Sequence, residues 1–142
     1  MKIRLILTAL SLLVFAAFSS ACDCDGEEVS LKESFAKSAT VFLGTVVSIE
    51  GYESTIKATH GLNWAYIIEF KPKELFKGEN SETIKLIVEA SDCGGGFMKG
   101  NSYLVFAFMN EQENKLGYHQ CFKMALEERY ASEEIIKLKE MN

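Results

Sequence analysis

Proline is almost missing from this chain, with Pro72 the single example, and histidine occurs only twice. Nothing therefore reads as a linker between domains, and no repeat or low-complexity tract divides the sequence. Nucleophile motifs are missing too. His60 falls on a long polar loop and His119 at a strand end, and neither neighbours a serine or cysteine in a catalytic pattern. The run Asp92-Cys93-Gly94-Gly95-Gly96 has no Gly-Lys-Ser/Thr ending and no helix pattern behind it, which excludes a phosphate-binding loop. No C-x2-C knuckle occurs, so the cysteines lack zinc-finger spacing. These absences point away from an enzyme and from a bound cofactor.

An excess of basic charge is also lacking. The formal net charge is −5, and a chain of that sign has no surface suited to nucleic acid. Apolar length is short as well. Leu5 to Phe18 is the one long apolar run, below the ~20 residues a membrane-crossing helix needs. Lys2 and Arg4 precede it and Ser19-Ser20-Ala21 follow it, the layout of an export signal with its cleavage site. The expectation is a signal peptide over residues 1–21 and one domain over residues 22–142, with no transmembrane segment after removal. Removal takes away two bases and no acid, leaving the mature chain more acidic still. Secreted or periplasmic location follows, and a monomer is expected.

What the chain does have is four cysteines, Cys22, Cys24, Cys93 and Cys121. Behind an export signal they predict two disulfides, with three connectivities open. Cys22 admits a rival reading as an acylated lipoprotein anchor. Ser20 and Ala21 suit that reading, but Ser19 stands where an aliphatic residue is usual. Acylation would convert the Cys22 sulfur to a thioether and block its nitrogen, leaving one of the other three cysteines unpaired.

Ser30-Leu-Lys-Glu33 is a capping-box pattern that predicts a short helix to Lys37, with Leu31 and Phe35 on its inner face. Strand character follows over Val41–Ile49, with a bulge at Gly44. It returns over Trp64–Phe76, with Tyr66, Ile68 and Phe70 on one face, then over Thr83–Glu89 and Ser102–Met109. A weak fifth strand leads towards Cys121. Turns are expected over Lys77–Asn80, Gly94–Gly96 and Asn110–Asn114, and over Gly51–Asn63 a longer hairpin tip or surface excursion. From Ala125 the pattern reads as helical, with a break near Ser132. Short consecutive strands with helices only at the ends predict a mainly β fold: a five-stranded antiparallel barrel of the OB type with an N-terminal and a C-terminal helix.

The order of pieces is itself a signature. Cys22-Asp-Cys24 comes first, then Phe35–Gly44, Glu74-Leu-Phe-Lys-Gly78, Cys93-Gly94, Gly100-x-x-Tyr-Leu-Val-Phe-Ala107 and Cys121. Over essentially the whole of residues 22–142 this resembles the N-terminal domain of the tissue inhibitors of metalloproteinases, and the wider netrin-like module. The resemblance implies an OB barrel with the pairing Cys22–Cys93 and Cys24–Cys121. Each bridge would close a loop of roughly 70 to 100 residues, worth about 4–5 kcal/mol in the chain-entropy model. The family's third disulfide has no counterpart, because no cysteine lies near Ser34.

The resemblance also implies a function. In that family the first cysteine's α-amino nitrogen and carbonyl oxygen chelate the catalytic zinc of a target protease and displace its water. Carried over, those groups belong to Cys22, which would meet a metal only in trans. An α-amino group titrates at about 7.7–8.0, so it sheds its proton for a metal near neutral pH. Asp23 would enter the protease's specificity pocket, and Cys24, Asp25, Ala90, Ser91, Asp92 and Cys93 would complete the contact ridge. The partner implied is an extracellular zinc metalloprotease. Asp23 departs from the pattern, since the inhibitors usually place a small hydroxyl residue there. Desolvating an unpaired carboxylate costs several kcal/mol. A target with a basic or polar pocket answers that departure, and so does a non-inhibitory netrin-like binding module with another protein as partner.

Overall fold

A computed structural model describes residues 29–53, 64–90, 96–111, 114–118 and 125–141. Its elements in order are α1 (Leu31–Lys37), β1 (Thr40–Glu53), β2 (Trp64–Lys77), β3 (Ile84–Glu89), β4 (Ser102–Asn110), β5 (Lys115–Gly117) and β6 (Leu126–Glu127), then a 3-10 turn (Glu128–Tyr130) and α2 (Ser132–Met141). No helix among these residues is long and apolar enough to cross a membrane.

Five strands close into a ring in the order β1-β2-β3-β5-β4 and back to β1. All neighbours are antiparallel except β3 and β5, which run parallel through Leu86–Leu116 and Ile87–Gly117. Closure depends on β1, whose pairing with β2 shifts register at Val41/Phe42, Leu43/Gly44 and Val46/Ser48. Such bulges bend a strand and increase its twist. The bent first half of β1, Thr40–Thr45, pairs with Ala107–Ser102 of β4, while β2 follows β1 to Glu53. Gly44 at the middle shift is tightly enclosed: a Cβ there would lie 3.0 Å from the Phe42 ring and 3.2 Å from the Lys71 carbonyl oxygen.

Strand residues alternate between two cores. Phe42, Val46, Ile68, Phe70, Leu86, Tyr103 and Val105 point into the ring with Ala107 and Tyr118. Val41, Leu43, Phe76, Leu104 and Phe106 point outward, where Leu31 and Phe35 of α1, Ala131 just before α2, and Ile135 and Leu138 of α2 cover them. Burial on both faces explains why β4 reads as an unbroken apolar run and not as an alternating one. Ile87 of β3 is buried as well, beside the expected Ile84, Leu86 and Val88.

The α1 cap is half of the expected box. Ser30 Oγ accepts the Glu33 N–H at 3.2 Å, but the Glu33 carboxylate turns to Lys37 at 2.6 Å and leaves the Ser30 amide. Lys77 caps the other end: its Nζ donates to the carbonyl oxygens of Phe35 (2.8 Å) and Ala36 (3.0 Å).

The structure sharpens two expectations and corrects a third. Strand β1 continues to Glu53 and pairs with Trp64, which favours the hairpin of the two readings and carries the strands two residues past Gly51 and back to Trp64. Tyr66 shares a face with Ile68 and Phe70 yet is 45% exposed, because its β1 partner is Gly51, which offers no side chain to cover it. Residues 126–130 are not α-helical: Leu126–Glu127 form β6 and Glu128–Tyr130 a single 3-10 turn. The start of β4 is paired with β1 on one edge only, since β5 occupies Phe108–Asn110, and Leu126–Glu127 fill the open edge at Tyr103–Leu104. Helix begins again at Ser132, where the break was expected.

Candidate functional site at one end of the strand ring

Because β3 and β5 are parallel, the chain leaves both at the same end of the ring. Glu89, the last residue of β3, pairs with Ala65, and the half-buried Ala90 follows it. The stretch from Gly96 to Asn101 is fastened to the ring. Tyr103 holds it through one hydroxyl, which accepts the Met98 N–H at 2.9 Å and donates to the Gly96 carbonyl oxygen at 3.3 Å. Val46, at the last β1 bulge, accepts the Gly100 N–H and donates to the Asn101 carbonyl oxygen, both at 2.9 Å. This stretch therefore takes over the β1 edge where the β1–β4 ladder stops.

Between these anchors the Phe97 ring lies against the inner core. It stands edge-on to Phe70, Tyr103 and Tyr118, with centroids 5.5, 5.0 and 5.3 Å away. Edge-to-face pairs at such distances favour one another through the ring quadrupoles, by about 0.5–1.5 kcal/mol each.

Tyr118 follows β5 directly and is buried. Its backbone N–H reaches the Ile87 carbonyl oxygen at 3.3 Å, and its phenol oxygen accepts the Ala125 N–H at 3.0 Å. Tyr118 is thus joined to Ala125, seven residues further along the chain. Burial pushes the Tyr118 phenol above its ordinary 10.0, and the Ala125 hydrogen bond opposes that rise only in part. The neutral phenol is the form the site keeps. Both hydroxyls are spent on backbone groups, so the described geometry holds chain segments in place.

Of the predicted ridge, Ala90 is the member within the described residues. Cys22, Asp23, Cys24, Asp25, Ser91, Asp92, Cys93 and Cys121 lie outside them, as do both predicted disulfides, His60 and His119. What the structure does bring together is Phe97, four residues after Cys93, with Tyr118, three residues before Cys121, and with Ala125 beyond it. Phe97, Tyr103 and Tyr118 do the positioning, and sequence reasoning gave them no such role. Comparison with models of known protein families finds no match, and comparison with curated proteins finds none either.

The motifs behind the family resemblance have structural employment. In Glu74-Leu-Phe-Lys-Gly78, Leu75 packs on the inner core, Phe76 joins the outer one and Lys77 caps α1. Glu74 meets Lys139 of α2 at 3.2 Å. Gly78 adopts φ +107°, with Thr40 pressed against it. In Tyr103-Leu-Val-Phe-Ala107 the side chains go inward and outward in turn. These residues build the ring and its cover.

Proposed function

We propose that the mature chain is an exported, five-stranded OB-fold barrel held by Cys22–Cys93 and Cys24–Cys121. We further propose that it inhibits a zinc metalloendopeptidase through the amine and carbonyl of Cys22. The observation that carries the reading is the ring order β1-β2-β3-β5-β4-β1, with the flanks of Cys93 and Cys121 meeting at one end. The ring is the core an OB barrel needs, and the described residues nearest those two cysteine segments, Phe97 and Tyr118, are in contact there. The residues that would touch a protease are Cys22, Asp23, Cys24 and Asp25, with Ala90, Ser91, Asp92 and Cys93 beside them.

The test is chemical. Adding one residue before Cys22, or acetylating its amine, should abolish inhibition of a susceptible zinc protease while leaving the unfolding transition unchanged. Equal inhibition by the extended protein would sink the wedge. Intact mass of the mature protein, reduced and unreduced, reports cleavage after Ala21, any acyl chain on Cys22 and the number of disulfides at once.

Asp23 supports a second reading, a netrin-like module that binds another protein without touching zinc. Asp23→Thr separates the two. Inhibition that appears or sharpens in the variant supports the wedge, and no response at any zinc protease favours the binding module.

A further inference from the structure

Past the ring closure, β1 and β2 run on together as a ribbon, and one edge of that ribbon is bare. Strand β4 pairs with β1 only through Thr40–Thr45. At Val46 the edge takes a neighbour once more, through the Gly100 and Asn101 hydrogen bonds, both at 2.9 Å. From Ser48 to Glu53, β1 pairs with β2 alone, and among the described residues no hydrogen bond reaches its other side. Such an edge is ordinarily blunted by lysine, proline or a covering element. Ser48-Ile-Glu-Gly-Tyr-Glu53 contains neither residue, and Ile49, Glu50 and Gly51 are exposed.

The two faces of the bare stretch differ in chemistry. Ile49 opposes Ile68 and continues the inner face, where it is 38% exposed. Next on that face comes Gly51, where an added Cβ would meet nothing within 4 Å. The Tyr66 residue opposite Gly51 is therefore open to whatever lies along the edge. On the other face stands Glu50, exposed and with no ionic partner among the described residues. Glu69, opposite Ser48, adds a second carboxylate there, shared with Lys85 at 3.5 Å.

We propose that Ser48–Glu53 is a strand-addition site for another protein, whose extended segment alternates large apolar residues with lysine or arginine. Its main chain would bond the free edge, its apolar side chains would fill the seat over Ile49 and Gly51, and a base would face Glu50. A second copy of this chain is the poorer occupant, because it brings further acid to the same edge of a chain with net charge −5. The site uses no cysteine and no zinc, so it is independent of the wedge.

The experiment titrates the isotope-labelled mature protein with a short capped peptide of alternating lysine and leucine, read by amide chemical shifts and amide exchange. Shifts should centre on Val47–Gly51 and Tyr66, and amides of Ser48–Glu53 that face the free edge should exchange more slowly. The same peptide methylated at every backbone nitrogen keeps its charges and side chains, cannot pair, and should not bind. Glu50→Lys should weaken the lysine peptide about two- to thirtyfold, the ratio expected when one cross-strand ion pair becomes a like-charge pair. It should also strengthen binding of a glutamate–leucine peptide. Ile49→Lys puts a charge on the inner face of the edge and should abolish binding.

Equal binding of the methylated peptide overturns the proposal, since charge alone would then suffice. Shifts confined to other surfaces, or none, overturn it, as does an unchanged affinity in Glu50→Lys. A dimer that grows with protein concentration and gives the same shifts without peptide assigns the edge to a second copy and overturns the basic partner. Should Ile49→Lys not fold, Glu50→Lys decides by itself, because its side chain is exposed. Acetylating the Cys22 amine should leave peptide binding unchanged, so the failure of either reading leaves the other standing.

Discussion

Gly78 shows how much one residue can carry. Its φ of +107° is open to glycine and strained for any other residue. A Cβ there would also fall 2.5 Å from Thr40 Oγ1, inside contact distance. Gly78→Ala should destabilise the protein by about 1–3 kcal/mol, seen as a lower urea midpoint. Adding Thr40→Ala should recover the steric part and leave the backbone part. Ser34 presents the opposite case. It is fully buried, and its hydroxyl has no hydrogen-bond partner among the described residues. An unpaired buried hydroxyl costs about 1–3 kcal/mol, so Ser34→Ala should leave stability unchanged or raise it. A clear loss in urea unfolding would show that the hydroxyl is satisfied after all.

At the scale of elements, α1 spans Leu31–Lys37 and is too short to hold itself together. Its stability comes from the Ser30 cap, from Leu31 and Phe35 on the outer core, and from Lys77 at its far end. The Lys77 ammonium also lies 5.4 Å from the Phe35 ring centroid. Lys77→Met keeps the stem and removes the charge, so two carbonyls lose their donor. The expected loss is about 1–2 kcal/mol, with faster amide hydrogen exchange in α1 than in β4. Helix α2 is held differently. Leu138 and Ala131 are fully buried, and Lys139 reaches Glu74 from a half-exposed position. Exposed ion pairs contribute little, so the burial term dominates. Leu138→Ala should cost about 2–5 kcal/mol in unfolding free energy, and Lys139→Ala well under 1.

For the whole molecule, closure of the ring decides where everything else goes. It leaves an inner core filled by all five strands and an outer core that exists because two helices cover one side. It also fixes the end at which β3 and β5 leave together. Tyr118 links that end to pH. Its phenol titrates higher in the folded protein than the 10.0 of the unfolded chain, so the folded state binds its proton more tightly. The sign follows from linkage: the contribution is complete below pH 10 and is lost as pH rises through the folded value. Urea unfolding between pH 8 and 11 should show an alkaline loss of stability that is shallower in Tyr118→Phe.

Local pattern determined a good deal of this protein. Ser30 starts α1 where its hydroxyl can cap, and the strands appear where β-branched and aromatic residues cluster. Gly44 marks a bulge, and the turn at Gly78 sits where glycine was needed. Such features depend on residues close in sequence, so their physical causes are visible in a string of letters. Residues 126–130 were misread because their helical periodicity is real, while the open edge at Tyr103–Leu104 that captures Leu126 and Glu127 belongs to another part of the chain. The exposure of Tyr66 was hidden for a similar reason, since the residue opposite it on β1 is Gly51, far away in sequence. The aromatic end of the ring was the least visible of all. Phe97 is a lone ring after three glycines in sequence. It gains its role only when folding brings Phe70, Tyr103 and Tyr118 around it from three separate segments. Residue types and their local order determined the elements. Which ends of those elements meet was decided by the register shifts of β1 and the parallel β3–β5 pairing, which act over distances no local pattern records.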